Sequence, residues 1–106
     1  MAYRLQFFDE VIVDIQEAKN WYKEQKDGLE IKFSLAVEIA LERITKFPTA
    51  YSIRYKNIRL IYTKTFPYVI HYYVDELHQL VVITAIVHRK RVHIQKLGSK
   101  GTNKLL

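Results

Sequence analysis

The chain has 106 residues, 49% of them hydrophobic, with three glycines, two prolines and no cysteine. That length supports one domain with a core of its own and not two, and so apolar a composition excludes a disordered chain. The absence of cysteine excludes a disulfide framework and any Cys-based zinc site, and fits a reducing compartment.

The net charge of +6 is lopsided. Residues 1–53 carry seven Lys/Arg against nine Asp/Glu, whereas residues 54–106 carry ten against two, a split of −2 and +8. A basic second half of this kind predicts a polyanionic partner: nucleic acid, a ribonucleoprotein or an acidic protein segment. Apolar runs reach only about eight residues, against the ~20 of a membrane span, and acidic residues follow directly on Met1–Phe8. The expectation is a cytoplasmic, soluble protein with no membrane partner and no leader peptide.

In chain order, Tyr3–Phe8 alternates Tyr3, Leu5 and Phe7 against Arg4 and Gln6, the period of a strand. Asp9 then offers a helix N-cap, and Val11, Ile15, Ala18 and Tyr22, joined by Ile12, recur at helical spacing to Lys26. Trp21 lies off that stripe. Gly28 is placed to end the helix in the left-handed conformation. A second helix is predicted over Leu29–Phe47, with Leu29, Phe33, Val37, Ala40, Ile44 and Phe47 on one face, ended by Pro48. Ile31, Leu35 and Ile39 add a second apolar face. So short a link implies an antiparallel helical hairpin.

Thr49–Asn57 reads as a polar connection. Three strands follow at Ile58–Thr63, Tyr68–Asp75 and Leu80–Val87, joined by tight turns at Thr65-Phe66-Pro67 and Glu76–Gln79 that require antiparallel neighbours. The last of them, LVVITAIV, is apolar throughout, as in a strand covered on both faces. The predicted class is α+β, in the order βααβββ: a helical hairpin on one face of a mainly antiparallel four-stranded sheet. The single domain spans residues 1–106 and ends in a basic tail from about residue 92.

No phosphate-binding glycine loop, nucleophile elbow or HExxH motif is present. The four histidines, His71, His78, His88 and His93, lack metal-ligand spacing, so neither a metal nor a cofactor is expected. Arg54, Lys56, Arg59, Lys64, Arg89, Lys90 and Arg91 bracket Tyr55, Tyr62, Tyr68 and Tyr73. Cations can hold phosphates while aromatic faces stack on unpaired bases. RNA cleavage without a metal needs a base for the 2′-OH, cations for the phosphorane and an acid for the leaving oxygen. Most of the tyrosines are equally suited to packing.

Several stretches, taken in order, resemble the RelE/ParE superfamily of bacterial toxins from type II toxin–antitoxin modules. They are FFDEVIVDIQEAKNWYKEQ, GLEIKFSLAVEIALERITKFPTAY, IRLIYTKTFPYVIHYYV and ITAIVHRKR. The resemblance covers nearly the whole chain and implies a growth-arresting, plasmid-stabilisation type toxin. A cognate antitoxin would neutralise it, with an acidic and apolar segment wrapped over sheet and helices. A homodimer or a toxin–antitoxin hetero-oligomer is compatible with it.

The resemblance implies one of two activities. RelE-like members are metal-independent, ribosome-dependent endoribonucleases (mRNA interferases) that use residues on the sheet; ParE-like members poison DNA gyrase. In the nuclease reading, Arg59 and Arg91 stabilise phosphate charge and His88 carries the proton. Arg54, Lys56, Lys64, Arg89 and Lys90 are the candidate target-binding residues in either reading. The FPY segment and long helical hairpin look more like the ParE branch. The common arginine–Asp-Pro ending is absent, since Val92-His93 follow Arg91. The alternative function is a non-toxic RNA- or protein-binding module of the same fold.

Overall fold

The computed structural model describes residues 3–90. Arg91 and the basic tail from residue 92 lie outside the described residues. Strand β1 (Arg4–Phe7) leads into helices α1 (Asp9–Gln25) and α2 (Leu29–Lys46). Strands β2 (Ile53–Tyr55), β3 (Ile58–Tyr62), β4 (Tyr68–Asp75) and β5 (Leu80–His88) follow. They form one sheet in the order β1-β5-β4-β3-β2. Strand β1 pairs with β5 in parallel, Arg4 opposite Leu80 and Phe7 opposite Ile83, and the other pairings are antiparallel. The α+β class and the helical hairpin agree with the sequence; the strand count does not. Ile53–Tyr55, within the expected polar connection, forms a fifth strand on the edge of the sheet. All three of its residues are exposed, so it carries no burial pattern that periodicity would detect.

The hairpin packs its buried stripes, Val11, Ala18 and Tyr22 from α1 and Phe33, Val37, Ala40 and Ile44 from α2, onto one face of the sheet. There they meet Ile61, Tyr68, Ile70, Tyr72, Val81, Ile83 and Ile86. Phe66, from the turn between β3 and β4, is buried as well. Its ring lies edge-on to Tyr22 (5.0 Å) and to Phe33 (5.5 Å), so the turn closes one end of the core.

Three local expectations are corrected. Phe8 occupies the N-cap of α1 without a side-chain bond, and Asp9 is the first helical residue, where its charge still favours the positive helix end. Gly28, with φ +93°, caps the start of α2 and not the end of α1, its N–H donating to Glu30 Oε1 at 3.0 Å. Phe47 leaves the buried stripe: α2 ends at Lys46, Phe47 turns to φ −131° and ψ 62° ahead of Pro48, and its ring is exposed.

Candidate binding surfaces and the placement of the basic residues

Strand alternation divides the sheet into an inner face against the helices and an outer face away from them. Arg59 and Ile61 on β3 and Thr63 just after it share a parity, and Ile61 and Thr63 are buried. Arg59 therefore points inward. Its Nη1 donates to the carbonyl oxygens of Tyr51 and Thr49, the latter at 3.3 Å, in the loop between α2 and β2. Opposite it on β4, the fully buried Tyr72 donates its hydroxyl to Pro48 O at 2.9 Å. Burial pushes the Tyr72 phenol up to about 12, partly offset by the Arg59 charge.

His88 lies elsewhere, at the end of β5 opposite Tyr68, with the two rings edge-to-face at 5.1 Å. Its Nδ1 accepts the Lys90 backbone N–H at 3.1 Å. Along β4, the partners of Arg59 and His88 are Tyr72 and Tyr68, four residues or about 13 Å apart. The two strands that carry Arg59 and His88 also lie on opposite sides of β4. The structure thus does not bring these two candidate catalytic residues together, and Arg91, the third, lies outside the described residues.

An open cleft of about 440 Å³ runs between α2 and the β2–β3 edge. Ile39, Ala40 and Ile61 form part of its apolar lining, and Arg43, Arg54 and Lys64 stand in its walls. No carboxylate lines it. Among the described residues none of these three cations makes an ion pair. The cleft continues through Ile39 into the exposed stripe Ile31–Leu35–Ile39 on α2, the second apolar face expected from the sequence. Lys56 sits in the turn between β2 and β3 with φ +48°. Arg89 and Lys90 follow directly on β5.

The outer face carries two pairs that sequence reasoning missed. Tyr55 OH and His71 Nδ1 are 2.9 Å apart, bridging from β2 across β3 to β4, and desolvation lowers the His71 pKa from 6.5. The Arg89 guanidinium lies 5.3 Å from the centroid of the Tyr62 ring, and its backbone N–H donates to Pro67 O at 2.7 Å. The first pair is hidden in the sequence because Tyr55 reads as part of a polar connection, whereas it stands on the exposed edge strand β2. The alternation of β3 and β4 could have put Tyr62 and His71 on one face. No described group of three or more His, Asp or Glu is placed to hold a metal ion. No described helix is long and apolar enough to cross a membrane.

This arrangement of hairpin and sheet is that of the RelE/ParE toxins. The chromosomal ParDE toxin–antitoxin system of P. aeruginosa matches with TM-score 0.69 at 11% identity, covering 82% of this chain and 96% of that one. A mutant of the E. coli toxin RelE in the free state matches with TM-score 0.62 at 16% identity over the full length of both chains. The RelBE2 toxin–antitoxin complex of Mycobacterium tuberculosis matches with TM-score 0.60 at 17% identity, over 84% of this chain and 100% of that one. No curated protein matches in sequence. Residues 5–93 match the family described as the ParE toxin of the type II toxin–antitoxin system parDE, and the chain belongs to that family.

Proposed function

We propose that this type II toxin arrests growth by binding DNA gyrase, as ParE-like toxins do, and not by cutting ribosome-bound mRNA. The observation that carries the reading is the commitment of Arg59. Its guanidinium donates to two loop carbonyls on the helix side of the sheet, far from His88, so a phosphate on the outer face meets neither as a catalytic pair. A nuclease needs charge stabilisation and proton transfer at one phosphorus. A binding toxin needs only its surfaces.

A cognate antitoxin is the second part of the reading. Structures of related fold are described as toxin–antitoxin systems and complexes. An antitoxin segment with apolar side chains at helical spacing and carboxylates beside them suits the Ile31–Leu35–Ile39 stripe and the cations Arg43, Arg54 and Lys64.

Pulse-labelling of DNA, RNA and protein synthesis within minutes of inducing the chain alone tests the target. DNA synthesis is expected to fall first, with purified gyrase inhibited by purified toxin. An early fall in protein synthesis would instead establish the ribosome-dependent endoribonuclease, and no effect on any of the three the non-toxic binding module.

A further inference from the structure

The cleft between α2 and the β2–β3 edge has the build of a small-molecule site. Its volume of about 440 Å³ lies in the range of ligand pockets. Its floor is aliphatic, with Ala36, Ile39 and Ala40 from α2 and Leu60 and Ile61 from β3. Ala36 and Ala40 stand one helical turn apart, and their short side chains leave a hollow that larger ones would fill. Ala50, Tyr51 and Ser52 supply a further wall. That wall is held from behind, since Arg59 donates to the Thr49 and Tyr51 carbonyls and Tyr72 to that of Pro48. The cleft is therefore formed before a ligand arrives, and little ordering opposes binding.

Charge narrows the choice of ligand. Arg43, Arg54 and Lys64 line the cleft with no carboxylate among them. Glu42, next to Arg43 in the chain, is paired with Lys46 at 3.3 Å. Among the described residues the three cations make no ion pair.

We propose that the cleft binds a small amphipathic anion, an unbranched alkyl carboxylate, its chain on the aliphatic floor and its headgroup among the three cations. Guanidinium groups match a carboxylate in shape as well as in charge. A neutral chain would leave the cations unanswered, and a short hydrophilic anion would leave the floor wet. An alkylammonium ion would be repelled. An antitoxin segment of the kind described above would use the same cations, so ligand and segment exclude each other. That consequence rests on the antitoxin reading, whereas binding to the chain alone does not.

The experiment is isothermal titration calorimetry of the full chain without antitoxin, with decanoate below its micelle concentration as the probe. Saturable binding is expected, weakening about fourfold for each methylene removed in shorter carboxylates. Decyl maltoside, with the same chain and no charge, should bind distinctly more weakly, and decyltrimethylammonium should not bind. Because the cations are exposed, Arg43→Gln, Arg54→Gln and Lys64→Gln should each weaken decanoate binding only about two- to fivefold. Combined, they should bring it down to the level of the maltoside. Ala36→Leu should block the cleft, and Ile39→Gln, at an exposed position, tests the floor should Ala36→Leu not fold. Lys23→Gln on α1 removes a charge elsewhere and should leave affinity unchanged, with circular dichroism confirming that each variant folds. Decyl maltoside binding as tightly as decanoate, affinity independent of chain length, or wild-type affinity in the triple variant would overturn the proposal. So would a chain that does not bind decanoate, which would leave the cleft to a protein partner alone. Gyrase inhibition measured on the same preparations reports the proposed target separately.

Discussion

Arg59 and Tyr72 face each other across β3 and β4, and both side chains end on backbone carbonyls of one loop, Arg59 on Thr49 and Tyr51 and Tyr72 on Pro48. The loop that follows α2 is therefore pinned from inside the sheet. It leads into β2 and so sets where Arg54 and Tyr55 stand. Arg59 acts here as a positioning residue.

Removing either tether should loosen this loop. Arg59→Ala should cost about 1.5–3 kcal/mol, the range for hydrogen bonds to a charged group, read as a lower urea midpoint. Tyr72→Phe, which loses one buried hydroxyl bond, should cost about 1 kcal/mol. Amide exchange in residues 50–55 should rise in both. Unchanged exchange in Arg59→Ala would mean that the loop is held by other contacts.

Elements with a buried or half-buried stripe, β1 included, were legible in the sequence, and the fully exposed edge strand was not. The hairpin, β3, β4 and β5 announce themselves because Val11, Phe33, Val37, Ile44, Ile70 and Ile83 must leave water, and their spacing records how. Strand β2 buries nothing, and its pairing is decided by β3, so no local signal betrays it. The bulge in β5 is equally silent. Pairing shifts from His71 opposite Ala85 to Tyr72 opposite Ile83, leaving Thr84 as the extra residue. That shift moves the inward side chains from Val81 and Ile83 to Ile86 and His88, in a run where every residue is apolar enough to point either way. The basic residues were legible as a set, but which of them face one ligand depends on pairings between strands. That Arg59 turns to the Thr49 and Tyr51 carbonyls, and lies apart from His88, is likewise decided by those pairings.

Gly28 tests the helical link. Its φ of +93° is disfavoured for any residue with a side chain, while an added Cβ would meet nothing within 4 Å. Gly28→Ala should therefore cost about 1 kcal/mol, from backbone strain alone. Gly28→Asn should cost less, because Asn tolerates left-handed geometry better. A crystal structure of the Ala variant should show no repacking around the site; displaced neighbours would refute the strain account.

The aromatic cluster tests what joins the hairpin to the sheet. Phe33 is fully buried, with ring centroids 5.2 Å from Tyr22, 5.5 Å from Phe66 and 5.1 Å from Tyr68. Phe33→Ala should cost about 3–5 kcal/mol. Phe33→Leu should cost distinctly less, since it refills most of the volume. Similar losses for the two would show that ring geometry, not volume, governs this site.

His71 predicts an acid-side dependence whose sign follows from its environment. Desolvation lowers its pKa from 6.5 in the folded chain, so on acidification the unfolded chain takes up the proton first. The contribution of neutral His71 is thus fully present above pH ~6.5 and lost as pH falls from there towards the lower folded value. Asp75, held below 3.8 mainly by its hydrogen bonds with His78, adds stability that is lost only at still lower pH, so the two windows separate. Urea midpoints of the wild type should fall between about pH 7.5 and 5 by more than those of His71→Asn, which has no proton to take up there. Tyr55→Phe should keep the dependence, because burial and not the hydroxyl is its cause. Parallel pH profiles for wild type and His71→Asn would show that His71 is no more protonated in the unfolded chain than in the folded one, and would remove the reason for treating it as a neutral ring on the outer face.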